Sequence, residues 1–160
     1  MFMNVYTYLL DFHNYLSETI KYTDFHTLQS PTYTQMHKSG SCHDQVAYIL
    51  SELSNAGIDA YARFLIEYDS ETSDGGVTHS YVYVPDGEYV YWIENAWEDE
   101  SGVHRFNSVE EIEEYITQRH IDGYWGDIDN YDSVEFSDFD LYEHTYGEDL
   151  QTLVDICMNS

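Results

Sequence analysis

Hydrophobic positions recur at helical spacing in two early stretches of the chain and then switch to alternation. Val5, Leu9, Phe12 and Leu16 recur every three or four residues over 4–20, with Asp11, Asn14 and Ser17 between them, which predicts an amphipathic helix. Residues 22–40 are rich in Thr, Ser, Pro and Gly without periodicity and read as a long loop, a length usually tied to function. Over 42–56, Val46, Ala47, Ile49, Leu50 and Leu53 make one apolar face. Ser41 with Asp44 reads as a capping box there, and Gly57 as a C-terminal stop. From 58 the period is two, with Ala60, Ala62, Phe64 and Ile66 set against Tyr61, Arg63, Leu65 and Glu67. Two more strands, 77–84 and 89–96, flank the hairpin signal Pro85-Asp86-Gly87-Glu88. Asn107-Ser108 followed by Glu110 and Glu111 opens a third helix at about 109–118. One further strand is expected over 133–142. A last helix over 148–157 gathers Leu150, Leu153, Val154 and Cys157 on one face. No repeat or linker divides the chain. The expectation is a single domain over 1–160 of class α+β, a nucleophile-bearing helix on a small antiparallel sheet, because no βαβ alternation appears.

Composition narrows the partners. With 160 residues and 42% hydrophobic content, the chain can bury a core and is no disordered acidic tail. Its net charge is −26, from 31 acids against five bases. That disfavours direct nucleic-acid binding and anionic membrane surfaces, since almost nothing neutralises phosphate, so neither is expected, and it favours a basic or amine-bearing protein or peptide. The charge is lopsided: no Lys or Arg follows Arg119. No apolar run reaches ~18–20 residues, and the N-terminus lacks a basic signal region, so a soluble cytoplasmic protein is expected. Cys42 and Cys157 are expected to stay unpaired. No cofactor and no metal are expected. Cys42-His43-Asp44 are consecutive and cannot chelate from a helix. Asp127-x-Asp129-x-x-Asp132 lacks the glycine and glutamate of a calcium loop.

Candidate chemistry centres on Gly40-Ser41-Cys42-His43-Asp44. Cys42 falls at the start of its helix, where unpaired N–H groups and the helix dipole favour a thiolate. His79 opens a strand and is the candidate base. Tyr81 and Tyr83 share its face, which is expected to meet the Cys42 helix. Glu94 and Asn95 close the next strand and point to opposite faces, so only one can reach His79; Glu94 is expected to orient it, since a carboxylate also stabilises the imidazolium by charge, with Asn95 as the rival. His43 points about 100° away from Cys42 on a helix. It could tune the thiolate but is a poor base. Gln35, in the preceding loop, is an oxyanion candidate. Cys157, on an apolar helix face, reads as structural.

In this order the motifs resemble the transglutaminase-like superfamily, within the wider papain-like fold. The matching elements are Gly-x-Cys-x-Asp before an apolar helix, a His opening an aromatic/Val strand, and an aromatic strand ending in an acid. The resemblance covers roughly 5–117. It implies cysteine-dependent amide hydrolysis or acyl transfer through Cys42, His79 and a third residue. The family has Asp followed by Pro at that third position. Here Glu94-Asn95-Ala96 stands in its place, so Glu94 and Asn95 both remain candidates. Residues 120–160 lie outside the resemblance and form an acidic, aromatic-rich extension. That extension supports a competing expectation: a non-enzymatic acidic binder or inhibitor that imitates nucleic acid on a papain-like scaffold.

Overall fold

The computed structural model describes residues 4–24, 27–72, 75–122 and 132–159. Among these, the order is α1 (Val5–Thr19), β1 (Lys21–Tyr22), α2 (Pro31–His37), β2 (Ser39–Gly40), α3 (Cys42–Asn55), β3 (Tyr61–Tyr68) and β4 (Gly75–Asp86). It continues with β5 (Tyr89–Glu94), β6 (Gly102–Phe106), α4 (Val109–Ile121), β7 (Ser133–Asp138) and α5 (Leu150–Met158). The five long strands form an antiparallel sheet ordered β6-β5-β4-β3-β7; β1 and β2 form a separate short parallel pair. The class is α+β. No helix among the described residues is long and apolar enough to cross a membrane.

Both faces of the sheet are covered, and strand alternation divides the core in two. Phe64, Val82, Val84 and Ile93 face α1, α3 and α5, packing with Leu9, Leu16, Ile49, Leu53 and Leu153. Leu65, Tyr81 and Trp92 face α4, packing with Ile112 and Ile116. Tyr81 therefore lies on the face opposite the one expected for it, because α4 claims that side. The cap at Ser108 is the one the sequence implies, and two further side-chain caps begin α1 and α5. Asn4 Oδ1 accepts from Thr7 N, Ser108 Oγ from Glu111 N and Asp149 Oδ1 from Thr152 N.

Three regions depart from the sequence expectation. The 22–40 loop contains a helix, begun by Ser30 as N-cap and Pro31 at its first turn and ended by Lys38 in the left-handed region at φ 55°. Residues 102–106 form an edge strand on β5 that the sequence reading left unassigned. The strand expected over 133–142 stops at Asp138, and Leu141–Glu143 form a 3₁₀ turn. Asp127 and Asp129 lie outside the described residues.

The acidic extension is built into the fold. β7 pairs along β3 from Arg63↔Asp138 to Tyr68↔Ser133, and Leu153 and Cys157 are fully buried in the α1–α3 core. Leu28 exchanges backbone hydrogen bonds with Glu148 and Gly147, which stitches the extension to the segment before α2. Leu153→Ala is expected to cost about 2–5 kcal/mol in urea unfolding. A loss below about 1 kcal/mol would show the extension to be a loosely held appendage.

Candidate active site

The first turn of α3 is shaped by Asp44. Its Oδ2 accepts from Ser41 N at 2.9 Å while Ser41 Oγ accepts from Asp44 N at 3.3 Å, closing the capping box; its Oδ1 accepts from Gln29 N at 2.7 Å. Glycine is required just before it. A Cβ at Gly40 would lie 2.7 Å from Asp44 Cβ, and that position has little freedom to move. The turn so formed puts Cys42 at the first helical position, beneath a cleft.

β5 supplies the next part. β4 and β5 pair only from Val82↔Ile93 onward, so residues 75–81 of β4 pair with β3 alone and their other edge meets the start of α3. His79 therefore reaches Cys42 although Tyr81, two residues on, is buried under α4. His79 Nε2 lies 2.6 Å from Glu94 Oε1, and both residues are buried. Glu94 Oε2 accepts from the backbone N–H groups of Asn95, Ala96 and Trp97 at 3.1, 3.1 and 3.3 Å. Nε2 is thus held by Glu94, and the His79 ring stands close enough to Cys42 for the two side chains to shift each other's titration.

Asn95 does not contact His79. Its Nδ2 donates to Ile20 O at 3.0 Å and to Gln45 Oε1 at 2.8 Å, and Gln45 Nε2 donates to Gly40 O at 3.1 Å. Asn95 is thus a tie between the ends of β5, α1 and the loop before Cys42. The sequence treats Glu94 and Asn95 as rivals for one task, and the fold gives them two. Gln35 lies on an exposed face of α2 and does not line the cleft. The buried glutamine beside α3 is Gln29, whose Oε1 accepts from Thr34 Oγ1 at 3.4 Å and whose Nε2 has no hydrogen-bond partner among the described residues. Nothing in the sequence pattern distinguishes it.

Two imidazoles meet the sulfur. Burial alone would raise the Cys42 thiol. The charge of His43, hydrogen bonds from His43 and His79, and the charge of His79 outweigh it and bring the thiol down to about 5. Burial alone would likewise lower His79. The Glu94 charge and hydrogen bonds to Cys42 and Glu94 reverse this and lift it to about 10. Both shifts favour a thiolate beside an imidazolium. His43 tunes the sulfur as the sequence implies, its charge standing first among the causes that lower the thiol. His43 Nδ1 lies 2.8 Å from Ser80 Oγ, and its ring stacks between Phe64 and Phe139.

A second Cys–His–Glu set provides a contrast. Cys157 Sγ lies 3.7 Å from His144 Nε2, and His144 Nδ1 bonds Glu148. Cys157 is fully buried; burial, then the charges of Glu148 and Glu143, push its thiol up to about 12. The composition is the same and the chemistry opposite, since a sealed sulfur beside carboxylates stays protonated.

The cleft over Cys42 has a volume of about 170 Å³. That is close to a benzene-sized cavity of ~150 Å³, so it fits one side chain or a scissile group. Tyr22, Asp24, His43, Thr78, and Leu150 and Leu153 of α5 are among its lining residues. Burial and the negative charges of Cys42, Asp24 and Asp44 raise the Tyr22 hydroxyl to about 12, so it remains a donor. No Lys or Arg is among the described lining residues, and no His/Cys/Asp/Glu cluster suited to a metal occurs among the described residues.

Glu94→Gln is expected to remove the charge that keeps His79 protonated and to move the onset of Cys42 alkylation up by about 1–3 pH units. Asn95→Ala should lower stability and leave that onset in place. Equal shifts in the two variants would contradict the division of labour between them.

A scan against models of known protein families finds no match, and a search of the curated proteins finds no relative. The chemistry of the site stands on its own residues.

Proposed function

We propose that this protein is a cysteine-dependent amide hydrolase or acyl transferase of transglutaminase-like type on a papain-like core. The observation that carries the reading is a cysteine at a helix start, its thiol drawn down by His43 and by a buried His79 that pairs with a carboxylate, under a cleft. Cys42 attacks an acyl carbon and forms a thioester. His79, held by Glu94, supplies the positive charge that keeps the sulfur ionised. First-turn N–H groups of α3, which lack intrahelical partners, face the developing oxyanion. Water or an amine then releases the acyl group.

The substrate presents a cation. Asp24 is exposed at the cleft and makes no hydrogen bond or ion pair among the described residues, whereas both Asp44 oxygens are engaged within the fold. The net charge of −26 draws cations from a distance and repels acidic competitors. The acidic surface taken alone favours a non-enzymatic binder of basic proteins, for which Cys42→Ala would be silent.

The test is alkylation of Cys42, mapped by mass spectrometry against pH. A depressed thiol is ionised above its own pKa, so the rate should be half-maximal near pH 5 and flat through pH 6–8. A free thiol titrates near ~8.5. A Cys42 that reacts no faster than free cysteine at pH 6–7 ends the enzymatic reading. With rates normalised to free cysteine, 2-bromoethylamine should outpace iodoacetamide, and iodoacetamide should outpace iodoacetate, by about 3- to 5-fold per step. Asp24→Asn should narrow the spread, and an unchanged spread would remove Asp24 from substrate selection.

A further inference from the structure

The cleft is lined by His43 and not by His79. Cys42, His43 and Thr78 line it; His79 is 0% exposed beneath Trp97, while His43 is 4% and Cys42 6% exposed. A proton delivered to a leaving group must come from a group that can touch it. His79 is also held by Glu94 at 2.6 Å in a buried ion pair, and its raised pKa of about 10 opposes release of its proton near neutrality. His43 has a different setting. Its ring partners are hydroxyls: Ser80 Oγ at 2.8 Å on Nδ1, and Thr78 Oγ1 at a long 3.4 Å on Nε2. Its plane is fixed by Phe64 at 5.8 Å and by Phe139 at 5.9 Å, the latter from the acidic extension. Phe139 is braced in turn by His144, at 5.1 Å and 21°.

We propose that His43 carries the proton that moves in each turnover, while His79 keeps its own as a fixed counter-charge. This rests on Cys42 being the nucleophile. Nδ1–H of His43 donates to Ser80 Oγ, and Nε2 carries the proton whose removal from the Cys42 sulfur left it a thiolate. Sγ bonds the acyl carbon, and the carbonyl π pair moves to oxygen. On collapse the carbon–nitrogen bond breaks, and the departing amine takes the Nε2 proton, leaving a thioester and neutral His43. Water then attacks the thioester and passes a proton to Nε2. The carbon–sulfur bond breaks, and the thiolate–imidazolium pair returns. The His79–Glu94 pair is unchanged throughout. The acidic extension thereby gains a role in the chemistry, since Phe139 and α5 hold the shuttle and one wall of the cleft.

The experiment is Cys42 acylation by aryl acetates running from 4-nitrophenyl, whose phenolate leaves unaided, to phenyl, whose leaving group needs a proton. For wild type the rate should fall little across the series. His43→Gln should lower the 4-nitrophenyl rate through the charge lost beside the sulfur, and should lose a further ~100-fold toward phenyl, the low end of general-acid contributions, so that the slope of the series is the readout. His79→Gln should lower all rates in parallel, because it removes thiolate and leaves the shuttle. Ser80→Ala, which keeps the packing, should steepen the series in the same direction and carries the test should His43→Gln fail to fold. An unchanged slope in His43→Gln and Ser80→Ala, or a slope steepened only by His79→Gln, overturns the inference and returns the proton to His79. Absence of Cys42 acylation in wild type removes the nucleophile and the inference together.

Discussion

The buried contact between Glu94 and His79 is the constraint on which the site depends. Taking a carboxylate and an imidazolium out of water is costly unless each is bonded by partners of fixed geometry. Glu94 meets that condition at both oxygens, one on His79 and the other on three consecutive backbone N–H groups at the end of β5. The charge of a carboxylate so held raises the pKa of a fully buried histidine against the pull of desolvation. That fixed positive charge, together with His43, stabilises a thiolate in a chain of net charge −26. A charge ~10 Å off through water contributes only about 0.4 kcal/mol before screening, so contact partners outweigh the acidic surface.

The scaffold exists to keep that contact and the sulfur in register. Gly40 lets Asp44 fold back over the start of α3, Gln45 clasps the Gly40 carbonyl, and Asn95 joins Gln45 to the end of α1. The residue after the charged one on β5 therefore locks the element that carries the nucleophile. The early end of β4–β5 pairing, at Val82↔Ile93, leaves the strand edge that α3 meets. Cys157 shows what the same side-chain types do without this arrangement: beside His144 and Glu148 but sealed from the cleft, its thiol is raised.

Local signals were legible where physics is local. Apolar spacing placed α1 and α3, alternation placed β3 to β5, and Ser41 with Asp44 announced the capping box. Cys42, His79 and Glu94 were picked out in order, and they are brought together. What was missed depends on partners distant in sequence. Strand β6 is short and its alternation weak, and it is defined by pairing with β5. Helix α2 is seven residues long, too short for periodicity, although Ser30-Pro31 was a start signal passed over. The choice between Glu94 and Asn95 turned on backbone N–H groups that no pattern reveals. Gln35 was chosen for proximity in sequence, and its helix turns it outward. His43 was set aside because helix geometry separates neighbours by 100°, yet in a first turn two adjacent side chains can flank one sulfur. The acidic extension read as an addition because its apolar residues are sparse. Its pairing with β3 and the burial of Leu153 are long-range facts.

The thiolate itself is the most direct measurement. Its absorbance near 240 nm, taken as the difference between wild type and Cys42→Ser across pH 4 to 9, reports the ionisation of this one sulfur without any substrate. Cys157, at about 12, is silent in that window. A step centred near pH 5, absent in Cys42→Ser, is the predicted result. A step near ~8.5, the value of a free thiol, would mean that neither imidazole stabilises the sulfur, and the account of this site would be wrong.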